Sequence, residues 1–312
     1  MMTFMMNELD EVKQIFGNKL QENVRMANYT TIRVGGPVAG LLPVNTDTEL
    51  ENAAIALWEH HIPFKVIGSG SNFLVSDKGY DGIILLNRAH NLKIQLTVEP
   101  YTVYAESGAI FGTVARQSAM RGLSGLEWAN SVPGTVGGAV YGNAGAHGSD
   151  VCSDLIMATI LHPLSGKENW PVERLGYQYR SSILKREKMD AIILSALFKV
   201  KKSTREEAQT KIVNYSEKRR KTQPEGPSFG STFRNPEGDY AGRLIEAAGL
   251  KGHIQGHAQI SNVHANFIIN QGEAKAADIY QLICLARNEV KLRFNVDLVL
   301  EIELLGEFDN GK

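Results

Sequence analysis

The sequence of 312 residues lacks several features that mark other classes of protein. It has only two cysteines, Cys152 and Cys284, far apart and in no metal-binding or redox spacing, so we expect two reduced thiols in a cytosolic protein. No run of about 18 apolar residues occurs, which excludes a transmembrane helix. The first ten residues lack a basic region followed by an apolar one, and we expect no signal peptide. A net charge of −1 gives no basic surplus, so neither nucleic acid nor a membrane is an expected partner.

What the sequence does contain is a concentration of glycine. Glycine accounts for 30 residues, and six of these lie between Gly134 and Gly148. The surrounding stretch Trp128–Ser149 has no Asp, Glu, Lys or Arg. With 43% hydrophobic and 21% charged residues, the chain can otherwise bury a core of ordinary size. The glycines therefore predict a place where the backbone comes close to another group.

Periodicity predicts a mixture of helices and strands. The predicted helices are Thr46–His60, Ile110–Met120, Ser203–Arg220, Asp239–Ala248 and Lys275–Phe294. The predicted strands are Tyr29–Val34, Phe64–Ile67, Phe73–Val75, Ile83–Leu86, Leu92–Val98, Tyr101–Glu106, Leu155–His162, Ala191–Val200, Phe267–Asn270 and Leu298–Leu304. Strands often follow one another directly, which favours an α+β architecture, with a domain boundary near residue 200.

Two glycine-rich segments are candidates for a ligand loop. Gly68–Asn72 (Gly-Ser-Gly-Ser-Asn) follows a predicted strand, so its amides could hold a phosphate, although a plain tight turn explains it as well. It matches neither a Walker A loop nor a Rossmann fingerprint. The second segment, Val132–Ala146, is either a tightly packed turn or a surface for a flat or anionic ligand. Together the two segments fit a dinucleotide held by backbone amides.

Three polar side chains stand out among their neighbours. Arg180 offers a planar charged fork for a carboxylate, or is an ordinary surface charge. Ser231 follows a glycine, but no Gly-x-Ser-x-Gly elbow surrounds it, which argues against a hydrolase nucleophile. Glu301 lies in an apolar predicted strand, so it either faces solvent by alternation or faces inward and is functional. The basic run Lys218–Lys221 is either a solvated helix end or a diphosphate contact.

Taken in order, these segments resemble the UDP-N-acetylenolpyruvoylglucosamine reductase family (UDP-N-acetylmuramate dehydrogenases) of bacterial peptidoglycan synthesis. The similarity runs from about Tyr29 to Gly306. Further segments that carry it are Tyr29–Gly36, Gly122–Glu127, Tyr179–Ser182, Ala241–Glu246 and His264–Phe267. No room exists between Val200 and Phe229 for the tyrosine-bearing insertion of longer members, so the chain resembles the shorter class. It departs from the family pattern at Gly256-His257 and Asn262-Val263.

The resemblance implies a fold and a cofactor. The fold is α+β: an FAD-binding fold of the vanillyl-alcohol-oxidase type, with two α+β subdomains, plus a C-terminal α+β substrate-binding domain. The implied divisions are 1–28 (N-terminal extension or helix), 29–200 (FAD-binding), 201–297 (substrate-binding) and 298–312 (strand and tail returning to the active site). The implied FAD contacts are Gly68, Ser69, Gly70, Ser71, Asn72, Pro133, Gly134, Thr135, Gly137, Gly138, Asn143, Ala144 and Ala146. We expect a bulky residue at Gly137 or Gly138 to cost flavin before it costs the fold.

The resemblance also implies a reaction: NADPH-dependent, FAD-mediated reduction of UDP-N-acetylglucosamine enolpyruvate to UDP-N-acetylmuramate. Arg180 then holds and polarises the substrate carboxylate, Glu301 assists, and Ser231 protonates C2 while C3 receives a hydride from flavin N5. The implied substrate-binding residues are Tyr179, Arg219, Lys221 and Asn235. No metal is implied, and we expect a cytoplasmic monomer or weak homodimer. The alternatives are a related FAD-dependent sugar or hydroxy-acid oxidase and a non-catalytic nucleotide-sugar-binding paralogue.

Overall fold

The computed structural model describes the backbone of residues 2–308 and the side chains of residues 9–308. Its described helices are α1 (Met2–Phe16), α2 (Asp47–Glu59), α3 (Phe111–Met120), α4 (Val136–Gly142), α5 (Val151–Asp154), α6 (Ile183–Arg186), α7 (Arg205–Thr222), α8 (Ala241–Ala247) and α9 (Ala276–Phe294). Its described strands are β1 (Gln21–Arg25), β2 (Pro37–Val44), β3 (Phe64–Ile67), β4 (Phe73–Val75), β5 (Tyr80–Asn87), β6 (Leu92–Gln95), β7 (Tyr101–Glu106), β8 (Leu123–Ser124), β9 (Gly145–Ala146), β10 (Ser149–Asp150), β11 (Leu155–His162), β12 (Gly166–Pro171), β13 (Ile192–Lys202), β14 (Ile254–Gln255), β15 (Ala258–Ile260), β16 (Ile268–Asn270) and β17 (Glu303–Leu305). Within residues 2–308, no helix has the length and apolar character needed to span a membrane.

The chain divides into two compact units, each built from three segments. Unit 1 comprises Met1–Leu20, Leu41–Gly68 and Ile83–Arg219. Unit 2 comprises Gln21–Gly40, Ser69–Gly82 and Arg220–Lys312. This division differs from the contiguous ranges 29–200, 201–297 and 298–312 that the sequence predicts, because two early segments fold with the C-terminal part. Residues 309–312 of the predicted tail lie outside the described residues.

The main sheet of unit 1 is antiparallel and covers a large core. Its strands lie in the order β12-β11-β13-β7-β6, and β8 pairs with the end of β13. Strand β13 is central, and its Phe198 is fully buried. The Phe198 ring stacks on Phe111 of α3 at 5.3 Å, and Phe111 meets Trp128 edge to face at 5.4 Å. These three aromatic residues fix α3 against the sheet.

A second layer of unit 1 forms around α2. The Thr46 side chain accepts a hydrogen bond from the Glu49 amide at 3.0 Å, which confirms the predicted helix start. Leu50, Ala53, Ala54 and Leu57 form the buried face of the helix. The face covers strands β2, β5 and β3, which lie in that order, with β3 and β5 parallel. For α7, the Glu207 amide donates to Thr204 Oγ1 at 3.1 Å, so Thr204 caps the helix one residue after the predicted start at Ser203.

Unit 2 packs two helices against a small sheet. Helices α8 and α9 bury one face each with the three-stranded sheet β14-β15-β16. Strand β17 instead pairs in parallel with β4, with Glu303 opposite Phe73. The carboxylate of Asp77 accepts bonds from the Ala276 and Ala277 amides at 2.9 Å and so caps α9. Contacts between residues far apart in sequence therefore join the early segments to this unit.

Two predicted strands are wrong in informative ways. Residues Tyr29–Val34 form a turn rather than a strand, and the strand begins only at Pro37. The turn is held by long-range bonds: Thr31 Oγ1 donates to the Ser228 carbonyl at 2.6 Å, and Asn270 Nδ2 donates to the Ile32 carbonyl at 2.9 Å. The strand predicted at Leu298–Leu304 is regular only from Glu303. Before that point the chain makes a single antiparallel bridge between Leu300 and Phe233.

Candidate active site

The two glycine-rich segments meet within unit 1. Gly68 begins the loop after β3, and a Cβ atom placed on it would overlap the side chain of Thr135. Thr135 is buried and immediately precedes α4. A residue larger than glycine at position 68 would push these two segments apart. At Gly68 the backbone of the first glycine segment therefore lies directly against the Thr135 side chain of the second.

The glycines at the start of α4 differ in what surrounds them. The Gly137 amide donates to the Ser107 carbonyl at 2.8 Å, and a Cβ on Gly137 would lie 2.9 Å from Ser107 Cβ. A Cβ on Gly138 would meet no described atom nearer than Thr135 Oγ1 at 4.0 Å. Gly137 is therefore needed for packing against Ser107, whatever its predicted contact with FAD. Gly138 is exposed and leaves open surface.

The later part of this segment is bonded inside unit 1. Asn143 ends α4 in the left-handed conformation with φ 45° and is buried. Its side chain donates to the Gln178 carbonyl at 3.1 Å and accepts from the Cys152 amide at 3.0 Å. A predicted flavin contact from Asn143 would therefore come from its backbone. The other predicted contacts here are exposed Pro133 and half-buried Gly134, Ala144 and Ala146.

The loop Gly68–Asn72 has the properties of a ligand cradle. Gly70 is buried with φ 61°, and a Cβ on it would overlap the carbonyl of Tyr29, so only glycine fits. The hydroxyl of Ser69 is buried and has no hydrogen-bond partner among the side chains and backbone described for residues 9–308. A buried hydroxyl normally has a partner, and a ligand can supply one. These small and partly unpaired groups of the loop fit a bound FAD.

Arg180 is presented on a tight turn of unit 1. Gln178 and Ser181 exchange two main-chain hydrogen bonds of 2.9 and 3.1 Å, which leaves Tyr179 and Arg180 at the tip. Arg180 adopts φ 54°, a conformation that costs free energy for a residue with a side chain. Its guanidinium lies beside Gly145, where a Cβ would be only 3.2 Å from Nη1. Such strain at a charged residue is typical of functional sites.

Three hydrogen bonds hold this turn on α4 and its C-terminal cap. Tyr177 donates its hydroxyl to the Val140 carbonyl at 2.8 Å, and Ser182 donates to the Tyr141 carbonyl at 2.7 Å. The third bond is that of Asn143 to Gln178. Burial raises the pKa of Tyr177 far above its ordinary value, so the hydroxyl stays a donor. The sequence did not identify Tyr177, because an isolated tyrosine carries no signal for such a bond.

Ser231 and Glu301 lie on neighbouring segments of unit 2. The Glu301 amide donates to the carbonyl of Thr232, the residue after Ser231, at 2.9 Å. Asn72, the last residue of the first glycine loop, donates its side-chain amide to the Glu301 carbonyl at 3.2 Å. The Asn72 carbonyl in turn accepts from the Glu303 amide at 2.8 Å. The structure thus brings together three residues that the sequence assigns to the site: Asn72, Ser231 and Glu301.

A buried asparagine fixes the segment that carries Ser231. Asn266 accepts from the Thr232 amide through its carbonyl at 2.8 Å and from the Phe233 amide through Oδ1 at 2.9 Å. Its Nδ2 donates to the Phe233 carbonyl at 2.8 Å. The side chain therefore replaces a strand partner for Phe233. Only the family motif His264–Phe267 pointed to this position, and it gave Asn266 no role.

The predicted substrate-binding residues have different surroundings. Tyr179 is 57% exposed, and Lys221 is exposed as well. Arg219 of α7 donates to the Ser131 carbonyl, and burial lowers the pKa of its guanidinium. Asn235 accepts the Ala241 amide at 3.1 Å and so helps to begin α8. Arg219 and Asn235 thus have structural bonds that the sequence did not indicate.

Comparisons with known proteins define first the class and then the family. Residues 38–163 match the family model described as "FAD binding domain", and residues 222–305 match "UDP-N-acetylenolpyruvoylglucosamine reductase, C-terminal domain". The chain is therefore a protein with an FAD-binding domain, and the predicted fold class is confirmed.

Relatives along the whole chain make the assignment specific. The chain is 42% identical over 291 residues to the UDP-N-acetylenolpyruvoylglucosamine reductase of Chloroflexus aggregans, covering 92% of this chain and 97% of that protein. It is 39% identical over 305 residues to the reductase of Bacillus pumilus, covering 97% and 99%. The crystal structure of the Thermus caldophilus reductase superposes with a TM-score of 0.77 at 33% identity, covering 91% and 98%. The chain belongs to the UDP-N-acetylenolpyruvoylglucosamine reductase family.

Proposed function

We propose that this protein uses NADPH and FAD to reduce UDP-N-acetylglucosamine enolpyruvate to UDP-N-acetylmuramate in the cytoplasm, for peptidoglycan synthesis. The observation that carries the proposal is the hydrogen-bonded link from Asn72 through Glu301 to Thr232. It joins a glycine loop that fits FAD to the two unit-2 residues assigned to the chemistry. Near-complete coverage of relatives that bear the name of this reductase supports the substrate.

The proposed chemistry builds negative charge on the substrate. FAD, when held by the glycine loop, would supply hydride-transfer chemistry between NADPH and C3 of the enolpyruvyl group. Addition at C3 leaves negative charge on C2 and the neighbouring carboxylate. Arg180, a permanent cation on a strained turn, stabilises that charge through its planar fork. Because the turn is held by Tyr177 and Ser182, the guanidinium is oriented before the charge appears.

Ser231 completes the reaction by giving its hydroxyl proton to C2. A serine is a weak acid, but a carbanion or enolate is a strong base, so a short transfer from a positioned hydroxyl is sufficient. Glu301 assists, and its backbone is bonded on both sides, to Asn72 and to Thr232. Together these contacts support the assignment of Arg180, Ser231 and Glu301 as catalytic residues.

The nucleotide sugar is proposed to use Tyr179, Lys221 and Asn235, with Arg219 as a further candidate near the phosphates. Tyr179 and Lys221 are exposed and available to a ligand. Asn235 keeps its amide nitrogen for a ligand, because only its Oδ1 caps α8. The tyrosine-bearing insertion of longer relatives is absent, so closure over UDP falls to other residues. We propose a monomer or a weak homodimer.

The proposal is tested by following the flavin absorbance without oxygen. The purified protein is loaded with FAD, reduced with NADPH, and then mixed with UDP-N-acetylglucosamine enolpyruvate. We expect bleaching in the first step and return of the colour in the second, with formation of UDP-N-acetylmuramate. Reoxidation only by oxygen, with a sugar or hydroxy acid as electron donor, would favour a related oxidase. Failure to hold FAD would favour a non-catalytic nucleotide-sugar-binding protein.

A further inference from the structure

The segment after Ser231 carries two polar atoms that are buried and unpaired. Thr232 Oγ1 and Arg234 Nε have no hydrogen-bond partner among residues 9–308. Thr232 is only 1% exposed to solvent. A buried hydroxyl or guanidinium Nε–H without a partner is unfavourable, because it has lost its hydrogen bonds to water and has formed none within the protein. A partner that binds from outside the protein would remove this cost.

The backbone places both side chains on the side of Glu301. Two main-chain bonds, Arg234 N to Val299 O and Glu301 N to Thr232 O, each 2.9 Å, frame the bridge between Phe233 and Leu300. Thr232 therefore stands opposite Glu301. Neighbouring residues of an antiparallel pair alternate between the two sides, and opposite residues share a side. The buried Phe233 and its partner Leu300 belong to the core of unit 2, which leaves Thr232, Arg234 and Glu301 on the other side.

The chemistry of these groups selects an anionic ligand. A guanidinium binds carboxylate or phosphate oxygens through parallel N–H donors, and a hydroxyl adds one more donor. We propose that Arg234, supported by Thr232, binds an anionic group of the nucleotide-sugar substrate. This rests on the proposed function, whose substrate carries both a carboxylate and a diphosphate. In the chain, Arg234 lies between Ser231, which is proposed to act at the enolpyruvyl group, and Asn235, which is proposed to bind the nucleotide sugar. Both the carboxylate and the diphosphate are therefore candidates for the anion that Arg234 binds.

The experiment compares ligand binding by four FAD-loaded variants with that of the wild-type protein. Arg234→Met removes the charge, Arg234→Lys keeps the charge but loses the fork, and Thr232→Val removes the hydroxyl at nearly constant shape. Arg293→Met is the matched control, because Arg293 is an exposed arginine of the same unit and pairs with Glu289. Dissociation constants for UDP-N-acetylglucosamine enolpyruvate and for UDP are measured by calorimetry.

We expect Arg234→Met to weaken binding of the enolpyruvyl nucleotide about tenfold to hundredfold, as for a lost charged hydrogen bond. Thr232→Val should weaken it about fivefold, while it raises the melting temperature of the ligand-free protein by removing an unpaired hydroxyl. An equal loss for UDP identifies the diphosphate as the anion. Normal UDP binding with weakened enolpyruvyl-nucleotide binding identifies the carboxylate.

The inference is overturned if Arg234→Met and Arg234→Lys bind both nucleotides within about twofold of the wild-type protein. If Arg234→Met does not fold, the Lys and Val variants decide. Failure of the proposed function has a different signature: the wild-type protein binds UDP, but the enolpyruvyl nucleotide does not reoxidise its flavin. In that case UDP binding by the variants still decides the role of Arg234. A wild-type protein that binds neither nucleotide contradicts both.

Discussion

Asn72 and Glu301 are 229 residues apart in the chain, yet the side-chain amide of Asn72 donates a 3.2 Å hydrogen bond to the main-chain carbonyl of Glu301. The neighbouring strands β4 and β17 pair in parallel, so this contact continues a sheet edge. The end of the first glycine loop is therefore tied directly to the backbone of the proposed catalytic glutamate. A substitution at Asn72 should therefore alter the position of Glu301.

We predict that Asn72→Ala and Glu301→Gln are not additive. Asn72→Ala should slow reoxidation of the reduced flavin by the enolpyruvyl nucleotide about fivefold, the equivalent of one hydrogen bond. Once the Glu301 side chain is changed, Asn72 no longer positions a catalytic carboxylate. The reoxidation rate of the double variant should therefore fall by less than the product of the two single-variant factors. Stopped-flow absorbance measures the four rates. Gln271→Ala, which removes a surface amide pair with Gln259, serves as the control. Independent effects would show that Asn72 does not act through Glu301.

The bond between Tyr177 and the Val140 carbonyl gives a prediction about Arg180. Tyr177→Phe keeps the ring but loosens the turn, so reoxidation by the enolpyruvyl nucleotide should slow about fivefold. Reduction by NADPH should be unchanged, because Arg180 has no proposed role in that step. Tyr101→Phe on β7 is the control for the loss of a hydroxyl. Equal slowing of both steps would indicate a general disturbance of unit 1 rather than a misplaced arginine.

Gly137 and Gly138 should respond differently to alanine. At Gly137 the new methyl group would press on Ser107, so the free energy of unfolding of the FAD-free protein should fall by about 1–3 kcal/mol. At Gly138 the methyl group meets open space, and the better helix propensity should raise that energy by up to about 1 kcal/mol. A larger side chain at Gly138 should instead weaken FAD binding. Urea unfolding and FAD titration measure the two quantities. Equal destabilisation at both positions would contradict this distinction.

His147 should make the stability of the protein depend on pH. Its ring stacks on Tyr215 at 4.2 Å, and Nε2 lies 2.8 Å from Ser131 Oγ. Burial lowers the pKa of His147 below 6.5, and the charges of Lys218 and Arg219 lower it further. The unfolded chain therefore binds this proton more readily than the folded protein, so the stability present above about pH 6.5 is lost as the pH falls towards the folded pKa.

The measurement is the urea midpoint of the wild-type protein and of His147→Phe between about pH 5 and 8. The phenylalanine keeps the aromatic contact but cannot titrate. We expect the difference in urea midpoint between the wild-type protein and His147→Phe to shift against the wild type below about pH 6.5 and to stay constant above that pH. A parallel profile for His147→Phe would contradict the assignment.

Local pattern predicted the regular elements well. The bounds of β3 and β11 coincide with the predicted Phe64–Ile67 and Leu155–His162. The residues that indicate a short strand all lie within the strand itself, so local sequence is sufficient to predict it. The failures arise where distant contacts override local preference. Tyr29–Val34 has strand-like residues, yet bonds to Ser228 and Asn270 hold it as a turn. Helix α4 lies in a glycine-rich stretch without a polar face, so no periodicity could indicate it.

The candidate site was predictable as a set of residues but not as an arrangement. Family motifs selected Arg180, Ser231 and Glu301. Taken alone, each of these residues could equally be an ordinary structural or surface residue. The supporting contacts of Tyr177 and Asn266 could not be predicted, because they depend on which carbonyl lies opposite a hydroxyl or amide. The distinction between Gly137 and Gly138 likewise requires the position of Ser107.

The most direct test of the proposed chemistry is the Ser231→Ala variant in the two half-reactions. In stopped-flow measurements without oxygen, NADPH should reduce the flavin of the variant at nearly the wild-type rate. Reoxidation by UDP-N-acetylglucosamine enolpyruvate should be slower by about 100-fold or more, because the proton donor to C2 is lost. Equal loss in both half-reactions, or wild-type reoxidation, would contradict the account.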